Sequence, residues 1–534
     1  MRALNITDTA SQKFLKFLPV RINNNIMAQH KHGREKEMKR LAAIMLVLLL
    51  MLSFAACNNN EESGNTNASN STTSTPEGDQ VYRPNIPEGT DFGNQEFIIL
   101  TTAYDPSSAE MTEFGAMKDE LQATVVNEAV WERNNVIEET LNCKITEQLI
   151  QDQNRTASGP MVTTIRTYVD GNQPGVYIVS PSLYQAAVLA TDGYLLDLME
   201  IDSMNDCSDP WWDKSFVEET SIHDQVKFIT GDIGYQGRTS ITAVFFNKEL
   251  ARNSDIGDPY ELVRQKKWTL DVIIEWSKLI SNDDNGDGTI DYRDSFGMGG
   301  QNDNMWAFFF SAGERLARKD DTGTPEITIY NERSARVVEK IATLMQNKNY
   351  YVNANFLFSV SATPVDLLIT AFKEGRSLLF CDALLNVELL RDMDIDFGIL
   401  PSPLYDETQE EYASLMNPWS ANAFGVPANL DEQSAEDAGL LMQFLGAEGK
   451  NKLMPAFFEV AFKGQKVRDD DSAAMLDIIF NNVGCDIGHI YNWGSLGSTV
   501  LHQVSESKGE FTSLCDANVA AAEQALKDTL DAIK

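Results

Sequence analysis

The densest chemistry in the chain lies in "DDNGDGTIDYRD", residues 283 to 294. Asp283, Asn285 and Asp287 alternate as oxygen donors, Gly288 permits a sharp turn, and Thr289, Asp291 and Asp294 take the seventh, ninth and twelfth places. That spacing of hard oxygen ligands is the EF-hand pattern for calcium. Its last place holds Asp where Glu is usual, one methylene shorter in reach. Thr269 can cap a preceding helix with Leu270, Ile273, Ile274, Ser277 and Ile280 on one face, but "SFGMGG" after the loop has too much glycine for a second helix. A calcium sensor works by changing the angle between two helices, so the loop reads as a structural staple. The competing reading is a metal-free acidic turn, since Asp, Asn and Gly favour turns for conformational reasons alone.

Other reactive residues are scattered. Beyond the amino-terminal region the histidines are His223, His489 and His502, none in an HExxH spacing, and the chain has no GxSxG elbow, GxGxxG turn or GxxxxGK[ST] loop. Cys143, Cys207, Cys381, Cys485 and Cys515 form no CxxC pair, which argues against a zinc site and a disulfide scaffold and for small core residues. The expected protein is not an enzyme. A carboxylate pair for glycoside hydrolysis needs no local motif, so a surface glycosidase stays as the weakest alternative. No cofactor is required, and the single ion expected is a structural calcium.

The elements around these residues explain the chain's organisation. It has 534 residues, 43% of them hydrophobic and 23% charged, long enough for two lobes. Lys and Arg number 43 against 79 Asp and Glu, a formal charge of −36, which repels nucleic acid and anionic lipid surfaces. "MKRLAAIMLVLLLMLSFAAC" begins with Lys39 and Arg40, continues through an apolar run from Leu41 to Leu52 and ends at Cys57. It is an export signal whose core is shorter than the ~20 residues of a membrane span. The signal's natural start is Met38, so residues 1 to 37 are expected not to be translated. The polar tract after Cys57 has no branched aliphatic or aromatic residues and reads as a flexible tether.

From "QEFIILTT" onward, apolar runs alternate with amphipathic stretches. "VVNEAVWERNNVIEETL" reads as a helix, "CKITEQLI" as a strand, "MVTTIRTYV" as a helix, "GVYIVSP" as a strand and "YQAAVLATDGYLLDL" as a helix. Strand and helix in turn imply a largely parallel sheet covered on both faces. Ligands in such sheets settle at the carboxyl ends of the strands, which directs attention to Ser180, Pro181, Ser182 and Tyr184.

With these segments in place the chain resembles the extracellular solute-binding proteins of the sugar-binding, family 1 type that serve ABC importers. The stretches that carry the resemblance run in order from residue 92 to about 495: "NEAVWERNNVIEETLNCKI", "GYLLDL", "DPWWDKSF", "AVFFNKEL", "KWTLDVIIEWSKLI", "FKEGRSLLFCD", "DFGILPSPLYDETQEEY" and "NPWSANAFGVPAN". The amino-terminal signal resembles that of a bacterial lipoprotein, in which Cys57 carries the lipid. Phe54 stands where such signals usually have Leu.

The resemblance implies an α/β, two-lobed periplasmic-binding-protein-like fold of type II with the ligand cleft between the lobes. Residues 1–56 would be the export region and 57–89 the tether. Residues 90–238 and 400–447 would form one lobe, and 243–398 and 448–534 the other. It further implies capture of a carbohydrate or oligosaccharide for permease subunits, at the outer face of the cytoplasmic membrane, with membrane contact through the lipid anchor alone. A surface adhesin or sensor subunit is the main alternative. For a sugar, aromatic rings would cover C–H faces while carboxylates and amides bind hydroxyls. The candidates are Trp419, Trp493, Trp306, Tyr235, Tyr184 and Asp382, followed by Trp211 and Trp212. Trp419 and Trp493 stand out because each sits among Asn, Gly and Ser, where an exposed ring needs a reason.

Overall fold

A computed structural model describes residues 81–103, 113–115, 124–390, 393–458 and 470–534. The signal, Cys57 and most of the tether lie outside the described residues. All those described fall in one compact unit, Asp79–Lys534.

Two sheets organise that unit. In the smaller, β1 (Gln95–Ala103) lies between β2 (Cys143–Gln151) and β3 (Val176–Ser180), all parallel, with Phe97 opposite Ile145 and Leu100 opposite Val179. β1 is longer than its apolar run because Thr101 and Thr102 also bury their side chains. The helix Val125–Leu141 crosses between β1 and β2. Thr124 caps it by accepting a hydrogen bond from Asn127 N, and Asn142 ends it in the left-handed region at φ 50°. The chain returns to this sheet much later: Val179 pairs with Gly425 and Ile229 with Phe424. The helix Glu432–Glu448 then packs Leu441 and Leu445 into the same core as Phe97 and Ile178.

The larger sheet contains β4 (Thr242–Asn247), β5 (Ser281–Asn282), β6 (Ser295–Gly300), β9 (Tyr351–Asn353), β10 (Ser377–Ala383) and β11 (Phe397–Leu400). β6, β9 and β10 are parallel, whereas β4 runs against β10 and β11, so this sheet is mixed rather than largely parallel. Two smaller pairings join β7 (Ala317–Lys319) with β8 (Pro325–Ile327), and β12 (Ser414–Leu415) with β13 (Val483–Gly484). The last of these joins two distant parts of the chain near its crossings between sheets.

The helix before the acidic loop runs from Leu270 to Ser277 with Thr269 as its cap, and Ile280 lies beyond its end. "SFGMGG" is β6. Its glycine content has a steric reason, because a Cβ at Gly297 would stand 1.8 Å from the carbonyl oxygen of Ser277. The strand can reach the helix only without a side chain there. No helix among the described residues is long and apolar enough to cross a membrane.

Candidate functional site

Three parallel strands of the larger sheet end at one level, with Phe380 beside Gly299 and Gly299 beside Val352. Beyond them come Gln301 to Asp303, Ala354 to Asn355, and Asp382 to Ala383. Asparagine amides fix these ends: Asn302 N donates to Asn355 Oδ1 at 2.8 Å, and Asn353 Nδ2 donates to Asn302 Oδ1 at 2.8 Å. Asn304 Oδ1 accepts from Gln301 N at 2.8 Å and from the Tyr351 hydroxyl at 3.0 Å. The helix Asp303–Ser311 is thereby anchored at its first turn, with Asp303 and Trp306 near that end.

The smaller sheet supplies the facing groups. "SLYQ" after β3 forms a capping box between Ser182 and Gln185, which starts the helix Leu183–Thr191 and places Tyr184 in its first turn. The Tyr184 hydroxyl is 2.8 Å from His489 Nε2. His489 meets the Trp306 ring edge-on at 3.9 Å between centroids, and His502 stacks on that ring at 4.4 Å. His502 Nε2 stands 3.3 Å from Asp303 Oδ1, a polar contact outside hydrogen-bond alignment. Asp303 Oδ2 accepts from Asn417 Nδ2 at 3.0 Å, and Asn417 Oδ1 accepts from Trp419 N at 2.9 Å. One chain of contacts thus runs from Tyr184 to Trp419 through groups of both sheets.

Arg155 holds the Trp419 loop. Its Nε donates to the Trp419 carbonyl at 2.6 Å and its Nη2 to that of Ser420 at 3.1 Å, with a further bond from Nη2 to Asn422 Oδ1. The guanidinium lies 5.7 Å from the Trp419 ring centre. Asn422 also donates to Gln236 Oε1 at 2.9 Å, extending the polar edge. Burial lowers the Arg155 pKa to about 10, against the opposing pull of Asp152 and Glu113.

Electrostatics assign protonation states. Burial pushes the His489 imidazole down to about 3, despite Asp303, so it is neutral near pH 7. The Asp303 carboxyl is raised by burial, but the His502 contact and the Asn417 amide outweigh that and hold it below the usual value. Asp382 behaves oppositely: burial lifts it to about 7, with the Asp303 charge adding, although Ala383 N and Gln301 Nε2 donate to it at 2.7 and 2.8 Å. Burial also raises the Tyr184 phenol well above its ordinary value, which keeps it a donor. The region therefore presents a hydroxyl, two carboxylates, amides and an indole, a set able to bind hydroxyl groups by paired donors and acceptors.

Of the residues expected from the sequence, Tyr184, Trp306, Trp419 and Asp382 converge here. Trp306 has one face covered by His502, and its Nε1 is buried without a partner among the described residues. Trp493 does not join them and is not an exposed loop ring. It is 2% exposed, donates from Nε1 to Thr529 Oγ1 at 2.9 Å and stacks on Tyr491. Asn492 and Gly494 turn the chain there at φ 51° and 59°, and Gly494 lies against Ala522, so the ring folds inward. Tyr235 is likewise 4% exposed and packs on Phe457. Trp211 and Trp212 are core, both donating to Gln443 Oε1. Asp303, His489, His502 and Arg155 were not legible from spacing; the asparagine-rich "GGQNDN", residues 299 to 304, is the one local signal that could have pointed to Asp303.

The acidic loop is closed by its own bonds. Asp283 accepts from Gly286 N, Asp287 N and Gly288 N, while Asp287 Oδ1 accepts from both N and Oγ1 of Thr289. Buried Asp294 accepts from Asp284 N, Asn285 N, Asn285 Nδ2 and Asp291 N. Arg293 pairs with Asp287 at 2.7 Å and Asp291 at 2.6 Å. Among the described residues no three acidic, His or Cys side chains form a metal-holding group.

The architecture of the two sheets is similar to that of solved two-lobed α/β solute-binding proteins. The Listeria monocytogenes ABC substrate-binding protein Lmo0181, solved with cycloalternan, shares it at a TM-score of 0.51 and 13% identity, over 82% of this chain and 98% of that one. A cyclo/maltodextrin-binding protein complexed with maltotetraose gives 0.51 and 13%, over 82% and 96%. The GacH receptor of Streptomyces glaucescens, solved unliganded and with acarbose, gives 0.50 and 12%, over 83% and 100%. These similar structures are binding proteins, and at such identities the likeness is one of fold. No family model and no curated protein matches the chain.

Proposed function

We propose that this protein is the solute-binding receptor of an ABC importer, exported, anchored through a lipid on Cys57, and binding a carbohydrate between its lobes without catalysing its conversion. One observation carries the reading. Side chains suited to hydroxyl groups and C–H faces come from the strand ends of both sheets and meet where the sheets face each other: Tyr184 and Trp419 on one side, Asp303, Trp306 and Asp382 on the other. The sugars held by proteins of similar fold support the ligand class. Trp419 is the proposed stacking platform. Trp306, under His502, sets the histidines, and Asp382 accepts from ligand hydroxyls.

The test is a thermal-shift screen of residues 81–534 against maltodextrins, cyclic and linear oligosaccharides and peptides, followed by calorimetry. A ligand that binds only the native state raises Tm. A shift with a sugar supports the reading; a shift with peptides alone overturns the ligand class.

Two carboxyls shifted in opposite directions, Asp303 downward and Asp382 up to about 7, also resemble an acid–base pair, which favours hydrolysis as the second reading. Reducing-end release from the bound oligosaccharide decides it, and none is expected.

The acidic loop is proposed to hold a structural calcium ion through Asp283, Asn285, Asp287, Asp291, Asp294 and the Thr289 carbonyl. The backbone already wraps Asp283, with Gly286 and Gly288 at φ 75° and 86°. The ion pairs of Arg293 are half exposed and so weak, and a cation competing for Asp287 and Asp291 would displace its side chain.

A further inference from the structure

A short hairpin leaves the smaller sheet and ends inside the core of the larger one. Ile222 and Gln225 exchange both backbone hydrogen bonds, at 3.2 and 2.9 Å, and His223 and Asp224 between them have φ 52° and 61°. Left-handed backbone at both central residues gives a two-residue turn the twist its strands need, and His and Asp tolerate that region better than most. The base of the hairpin belongs to the first lobe, where Trp212 pairs with Gly231 and Ile229 with Phe424.

Its tip belongs elsewhere. Ile222 is 1% exposed and shares a buried cluster with Leu316, Ile487, Trp493 and Ile533, all on the side of the larger sheet. Polar contacts surround this plug. His223 Nδ1 is 2.7 Å from the Ile533 carbonyl, Lys319 Nζ donates to Ser221 Oγ at 2.8 Å and to the Glu218 carbonyl, and Ile487 N donates to Glu219 Oε1 at 3.4 Å.

We propose that residues 221–225 are a strap that keeps the two lobes joined throughout the binding cycle, so that they open by hinging beside it and not by separating. Its anchors lie on three elements of the second lobe: β7, the helix Ile487–Ile490 and the end of the carboxyl-terminal helix. Separation must break all of them and bring Ile222 into water, which apolar burial opposes. Holding the lobes near their closed geometry raises the fraction of molecules competent to bind, and apparent affinity rises with that fraction. The strap requires two lobes and no particular ligand, so its test stands apart from that of the proposed function.

The experiment places cysteine-linked spin labels at the exposed positions Glu139 and Glu339, one on each lobe, in a Cys57→Ser background, and measures their separation by pulsed electron resonance without ligand. A narrow distribution is expected with the strap intact. Ile222→Ser is expected to at least double the population at longer separations, with Lys319→Ala shifting it less in the same direction. If Ile222→Ser does not fold, as judged by circular dichroism, Lys319→Ala combined with Ser221→Ala provides the reading. An unchanged distribution in a folded strap variant overturns the proposal, as does a broad, two-population distribution with the strap intact.

Discussion

Trp419, the proposed stacking platform, is the residue whose loss should read most directly on ligand capture. Arg155 and Asn417 fix its loop from both sides, so removing the ring leaves the loop's backbone bonds in place. Trp419→Ala is expected to weaken sugar binding by about 1 to 3 kcal/mol, ten-fold to more than a hundred-fold by calorimetry, while the unliganded Tm moves much less. Asp382 offers a second residue-scale measurement. Its folded-state pKa, near 7, lies above its ordinary value of 3.8, so the fold favours the protonated form. The stability it contributes is complete below about pH 4 and is lost as pH rises through about 7, a loss on the order of a few kcal/mol. Asp382→Asn removes the titrating group while its one amide oxygen keeps the bond from Ala383 N, at the loss of the acceptor for Gln301 Nε2, and should narrow the Tm difference between pH 5 and pH 8. Glu113, raised to about 7 by the same cause, leaves a residual slope. An unaltered difference in the variant would show that Asp382 does not titrate there.

The acidic loop belongs to the scale of elements, because it links a helix to a strand of the larger sheet. Chelator is expected to lower the Tm of the unliganded protein, and Asp287→Ala should abolish that sensitivity with little effect on sugar affinity. Equal melting with and without chelator would instead identify Arg293 as the loop's permanent partner. Most elements of the smaller sheet were legible from apolar periodicity, since its strands and helices follow one another locally. β12 and β13 were not: each has two residues, and 69 positions separate the partners Leu415 and Gly484. A pairing that short has no periodicity to read.

At the scale of the whole molecule, the proposed anchoring and the proposed capture are tested separately. Cys57→Ser should abolish lipid attachment and leave the protein uncleaved or released, as read by detergent partitioning and intact mass. A mutant that still carries the lipid-modified mass would refute the anchor. The folded body should bind sugar equally well in either form, because the groups gathered between the sheets begin far beyond the tether.

The sequence alone determined the rhythm of strand and helix in the smaller sheet and the loop's donor spacing, and it carries the expectation of an export signal, because each is written in neighbouring residues. It also named Tyr184, Trp306, Trp419 and Asp382, since strand ends and polar loops mark where side chains can face a ligand. The tertiary structure decided which aromatics stay available. Trp493 sits in a polar loop like Trp419, yet left-handed turns at Asn492 and Gly494 fold it against the helix Phe511–Ala532, and its burial among apolar groups outweighs the polarity of its neighbours. Only that structure could bring Asp303, His489 and His502 together around Trp306, because their contacts follow from the packing of separate elements and from no spacing along the chain.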